Sequence, residues 1–145
     1  MKLWLISASL FMMGVLAGAQ SARSGVIHVD PATVAAALAN GGNLVTRPDL
    51  LVSGNHRETG GQVEVHDKET DVLYILDGEA TFVFGGQMVG GEVSRPGQWL
   101  GKDITGGQTR HIAKGDVFVI PAGIPHWFKE VPKSVSYFVV KVLKP

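Results

Sequence analysis

From Leu44 onward the chain is a series of short apolar runs cut by Gly, Pro, Asn and Asp. The runs Leu44–Val45, Leu50–Ser53, Gln62–His66, Val72–Leu76, Ala80–Phe84, Arg110–Ile112, Val117–Ile120, His126–Lys129 and Val135–Leu143 are rich in β-branched and aromatic residues, which predicts strands. Side chains alternate along a strand, so Gln62, Glu64 and His66 share one face, and Val63 and Val65 take the other. By the same parity His126, Phe128 and Glu130 share a face, and Phe128 is expected to line whatever His126 faces, with Trp127 on the opposite side. Asp77-Gly78 and Gly85-Gly86 carry hairpin turn chemistry. The Gly-rich segment 85–107 predicts a long loop, lid-like around Trp99. Many short, evenly spaced strands and no internal repeat predict an all-β sandwich or barrel.

Ahead of this region the pattern differs. Val26, Ile27 and Val29 suggest a short strand. Asp30-Pro31 then opens a helix, with Asp as the cap and Pro at the first helical position, and Asn40-Gly41-Gly42 closes it. One short helix over 31–40 is expected, with Val34, Ala35 and Leu38 at helical spacing, as part of an N-terminal arm covering residues 20–43. The main domain is expected over 44–145.

The first residues carry a different signal. Lys2 precedes an unbroken, mostly apolar stretch, Leu3 to Leu16, and Ala17-Gly18-Ala19 is a small-x-small site before Gln20. This is the pattern of a cleaved secretory signal peptide over 1–19, and the apolar stretch is short of the roughly 20 residues that span a bilayer. Export to the periplasm or beyond is expected, with a mature N-terminus at Gln20 that N-terminal sequencing would read. No cysteine follows the apolar stretch, which excludes a lipid-anchored form, and the chain has none anywhere. Its stability therefore rests on its core, a bound ion or subunit contacts rather than on disulfides.

Charge narrows the partners further. The chain has 13 Lys plus Arg and 13 Asp plus Glu, and removal of residues 1–19 takes away Lys2 alone. A balance this close to neutral gives no basis for binding nucleic acid or an anionic membrane after signal cleavage. A small organic molecule and a second copy of the chain remain as the expected partners.

Two motifs carry candidate chemistry. Downstream, Gly115-x5-Pro121-x-Gly123-x2-His126 sets a histidine just after a rigid turn, at the head of a strand. Upstream stands Glu64-x-His66-x4-Asp71-x6-Gly78. Together, in this order and with these spacings, they resemble the two motifs of the cupin family. In the family pattern the position of Glu64 is usually histidine, that of Asp71 glutamate and that of Glu130 asparagine. The resemblance covers residues 60 to 130. It implies a cupin-type double-stranded β-helix, or jelly-roll barrel, with one short N-terminal helix added. It further implies that Glu64, His66, Asp71 and His126 converge inside the barrel on a divalent metal.

Two imidazoles and two carboxylates suit a first-row ion such as Mn, Fe, Zn or Ni. Two negative ligands neutralise a divalent charge, which favours the harder Mn or Fe over Cu. Four ionisable groups at four interior positions would be costly without a compensating charge. An open coordination position would admit substrate, so the resemblance implies a metal-dependent oxygenase or an isomerase/lyase acting on a small organic molecule, with Glu130 or Glu64 as acid or base if not a ligand. The alternative is a non-catalytic small-ligand-binding or structural cupin without metal, and a homodimer is compatible with either. Among the other histidines, His28, His56 and His111 are expected in solvent, His56 near Arg57 at the barrel mouth. Tyr137 and Lys141 are expected either to contribute to a pocket or to pair near the surface.

Overall fold

A computed structural model describes residues 25–143; the signal-peptide and Gln20 expectations lie outside them. In chain order the elements are α1 (Pro31–Asn40), β1 (Gly42–Thr46), β2 (Leu50–Arg57), β3 (Val63–His66), β4 (Glu69–Phe84), β5 (Gln87–Val89), β6 (Glu92–Arg95), β7 (Gln98–Gly101), β8 (Asp103–Thr105), β9 (Gln108–Ala113), β10 (Val117–Ile120), β11 (His126–Glu130) and β12 (Val135–Leu143). The fold is mostly β with one short helix, as the strand pattern predicts. All strand pairs among the described residues are antiparallel.

The helix forms where its caps stand. Asp30 Oδ1 accepts from the backbone N–H groups of Ala32 and Thr33 at 3.0 Å each, satisfying two donors of the first turn. Its packing face is Val34, Ala37 and Leu38, with Ala37 buried and Ala35 exposed. Ala37 seats against Gly54 of β2, where an added Cβ would come within 3.0 Å of it. Residues 26–29 form no strand.

One element organises the sheet. β4 is a single 16-residue strand, and its two halves have different neighbours. Residues 69–78 pair with β12, and 71–74 also with β10. Residues 79–84 pair with β9, and 81–84 also with β11. The sheet therefore curls around β4, in the order β1-β2-β12-β4-β11-β3-β7-β6, with β9 and β10 also on β4. The bend falls at Gly78, at φ 78°, where a side chain would collide with the Ser134 carbonyl, and just before it Leu76 is an extra residue of β4 against β12. Asp77-Gly78 is thus a corner within a strand, not a hairpin turn. Pairing on both sides of these turn residues keeps the strand continuous.

The expected loop over 85–107 is instead four short strands. β7 pairs with β3, β6 with β7, and β5 with β8 as a separate ribbon. Trp99 lies opposite Val65, on the face away from Glu64 and His66, and donates its indole N–H to Asp67 at 3.0 Å. It caps the β3–β4 turn and is not a lid.

The main core gathers Leu73, Ile75, Ala80, Phe82, Ile112, Ile120, Phe128, Val135, Tyr137 and Val139 inside the curl. A second cluster, Val63, Val83 and Ile104 with Trp127 against it, packs on the other face of β3 and β11. Phe128 and Trp127 therefore fall on opposite sides, as parity predicts.

Candidate metal centre

The curl brings the two motifs face to face. His126 of β11 lies directly across from Glu64 of β3. Gly123, in the turn before β11, donates its N–H to the His66 carbonyl at 2.8 Å, which ties the second motif to the end of β3. That Gly adopts φ 83°, a conformation costly for residues with a Cβ. The turn thus places His126 and its neighbour strand in one rigid unit.

All four sequence-singled residues meet. His66 Nε2 stands 3.5 Å from Glu64 Oε2 and 3.4 Å from Asp71 Oδ2, and His126 Nε2 stands 3.7 Å from Asp71 Oδ2. The imidazole rings are 5.2 Å apart between centroids. His66, Asp71 and His126 are buried, and Glu64 is half-buried. Bonds of about 2.1 Å at tetrahedral to octahedral angles separate ligand atoms by about 3.0–3.5 Å, so the His66 contacts have the spacing of atoms that share an ion and the His126–Asp71 contact is slightly longer. Glu64, His66 and His126 form one group of donors able to hold a metal, and His66, Glu69 and Asp71 form another.

Neighbouring groups orient the histidines. His126 Nδ1 lies 3.1 Å from the Ile124 carbonyl, so it is the protonated nitrogen and Nε2 is left with a lone pair facing the other donors. Burial holds the His126 pKa below its usual value, which keeps the ring neutral, as a metal ligand must be.

Two charged residues complete the cluster. Lys141 of β12 lies opposite Asp71 of β4 and follows Val135, Tyr137 and Val139 in the inward series. Its Nζ is 2.9 Å from each Asp71 carboxylate oxygen, 3.0 Å from His66 Nε2 and 2.9 Å from Glu69 Oε2. Lys141 thus belongs to the pocket, the first of the two roles expected for it. Glu69 Oε2 also lies 3.4 Å from His66 Nδ1. Burial pushes the Asp71 pKa upward, but the His66 ring and the Lys141 ammonium outweigh it and the net shift is downward. Glu69 shows the same balance, its burial offset chiefly by Lys141. Glu69 is not among the sequence candidates because the apolar run that predicts this strand begins at Val72. Its signal was its spacing, two residues before Asp71 and so on the same face.

Beside this cluster opens a cavity of about 140 Å³ lined by Arg57, Glu64, Asp71, His126, Tyr137 and Lys141, among others. Arg57 lies over the Phe128 ring at 5.2 Å and donates from Nε to the Tyr137 hydroxyl at 2.8 Å. Burial raises the Tyr137 pKa, so the phenol keeps its proton at neutral pH. The sequence singles out His56 at the barrel mouth, and the structure puts Arg57 there instead. Ser53, Asn55 and Arg57 share the cavity face of β2, and His56 points the other way, to Ser136 at 2.8 Å.

Glu130 is a correction. It does not share the face of His126 and Phe128, because β11 bulges between Phe128 and Glu130. The extra residue turns Glu130 outward, where it is exposed and accepts from the Thr81 hydroxyl at 3.3 Å. It is not available to the pocket as acid or base. His28 and His111 are exposed, as expected.

Residues 49–145 match the cupin family, so the chain belongs to it. BH2720 from Bacillus halodurans is similar at 14% identity and a TM-score of 0.52, over 71% of this chain and 69% of that one. KdgF from Halomonas sp. is similar at 17% identity and a TM-score of 0.50, over 72% of this chain and 79% of that one. A cupin protein from Bacteroides fragilis shows 15% identity and a TM-score of 0.48, over 67% and 68%. No curated protein matches the chain. At these identities the solved structures establish the fold alone.

Proposed function

We propose that the protein binds a divalent metal through Glu64, His66, Asp71 and His126 and uses it to hold a small organic molecule in the adjoining cavity, for oxygenase or isomerase/lyase chemistry. The observation that supports this most directly is that donors from three strands gather around His66 in two overlapping sets, one with Glu64 and His126 and one with Glu69 and Asp71, beside a cavity lined by Glu64, Asp71 and His126. The ion would supply a Lewis acid for a carbonyl, enolate or phenolic oxygen. The chain's own residues do the rest. Tyr137 accepts from Arg57, so its hydroxyl proton is free to donate to a bound oxygen. Phe128, stacked on Tyr137 at 4.7 Å, gives the cavity an apolar wall. A cavity of about 140 Å³ suits a molecule near the size of benzene.

The test is metal analysis of natively purified protein and titration of the metal-free form. About one equivalent of Mn, Fe, Zn or Ni is expected, and most of it should be lost in His66→Ala and His126→Ala with the fold retained. Unchanged stoichiometry in both variants would sink the reading. Glu64→Gln should weaken binding by removing a charge at nearly constant volume. Equal affinity in that variant would reduce the ligand set to His66, Asp71 and His126. Turnover of small keto or phenolic compounds then separates an enzyme from a binding protein. One observation favours the second reading, a ligand-binding cupin without metal: a lysine ammonium already compensates the buried carboxylates.

A further inference from the structure

That lysine carries more than charge balance. An ammonium has only donors, so in its 3.0 Å contact with His66 the ring nitrogen Nε2 is the acceptor. An imidazole nitrogen has a single lone pair, lying in the ring plane. The Nε2 lone pair that accepts from Lys141 is the one a metal would need. Asp71 adds a geometric limit. Nζ lies 2.9 Å from Asp71 Oδ2, and Oδ2 lies 3.4 Å from His66 Nε2. Any ion bonded to both of those atoms at about 2.1 Å would fall no more than about 3.6 Å from Nζ where it now stands. Two cations at that separation, in a buried site, repel strongly.

We propose that Lys141 is a built-in counter-cation that competes with the metal: its ammonium holds Asp71, Glu69 and His66 in place when no metal is bound, and must swing away from His66 and Asp71 for a metal to enter. The inference rests on the reading that those residues form the metal site. Lys141 is a positioning residue here, with two mutually exclusive placements. The structure offers it a route, because its side chain keeps 15% of its exposure and borders the cavity. A fixed structural ion pair would behave differently, since it would stay in place and support metal binding by orienting Asp71.

Two measurements test this. The first is the affinity of metal-free protein for Zn²⁺ and Mn²⁺, by calorimetry or chelator competition, in the wild type and in Lys141→Met, which nearly keeps length and removes the charge. Affinity should rise on the order of tenfold or more in the variant. The second uses the unmodified chain: the acylation rate of Lys141 by an amine-reactive reagent, followed by peptide mass spectrometry, should rise several-fold when Zn²⁺ or Mn²⁺ is added. Equal or weaker affinity in Lys141→Met overturns the inference and leaves the metal reading standing. So does an unchanged acylation rate in wild-type protein that binds metal, which decides the matter if the variant fails to fold. Binding by Lys141→Met with none by the wild type supports the inference and refutes the metal reading for the natural chain. No binding by either refutes both.

Discussion

Two adjoining regions of the barrel interior are built from the same three strands by opposite means. β4, β11 and β12 each contribute to both. One region holds Ile75, Phe82, Phe128, Val135 and Val139, and the other Asp71, His126 and Lys141. The apolar region needs no partners in particular, since burial away from water stabilises each side chain whatever its neighbour. The ionisable region is stable only as a set, because each charge there is costly unless the others answer it. A strand pattern can therefore be the same in both regions while the tolerance to change differs completely.

The largest effect that separates them is expected at Phe82. It is fully buried and meets Phe84, Phe118 and Phe128. Phe82→Ala should cost about 3–5 kcal/mol in urea unfolding at pH 7. A loss under about 1 kcal/mol would mean that this region is loosely packed and that the contrast is false.

The next effect is the response to acid in metal-free protein. Asp71 and Glu69 have pKa values held below the ordinary range, so the unfolded chain takes up their protons first. Their contribution is complete above the unfolded values near 4 and is lost as pH falls through the folded ones. His126 is also held low by burial, so its share begins to fall once pH drops below about 6.5, where the unfolded ring protonates. Unfolding free energy should fall modestly between pH 7 and 5 and more steeply below 4. Phe82→Ala should keep this pH dependence, whereas Lys141→Met should flatten its lower part, because the carboxylates lose the partner that holds them down. Parallel profiles for wild type and Lys141→Met would contradict the account of the ionisable region.

The smallest effect is at Glu130, one residue beyond the bulge. Glu130→Gln should change stability by no more than about 0.5 kcal/mol and leave metal affinity unaltered. A tenfold loss of metal affinity would show that the bulge does not keep this carboxylate out of the pocket.

Periodicity and turn chemistry carried most of this fold. The strand pattern marked β10 and β12 at their observed limits, and the Asp30-Pro31 and Asn40-Gly41 signals marked α1. Alternation along a strand, a local property, set Glu64 beside His66, and it was the resemblance of the motif spacings to the cupin family that implied Glu64, His66, Asp71 and His126 as one group. What local properties left open was decided by pairing. Asp77-Gly78 has the residues of a hairpin, and only β12, β9 and β11 on either side make it a corner within β4. Parity sends Glu130 inward, and only the register against Thr81 reveals the extra residue that sends it out. Lys141 lies 70 residues from Asp71 and 75 from His66, and no spacing could assign it to them. A charge so far along the chain joins a site only because two strands align, and alignment is a property of the folded sheet as a whole.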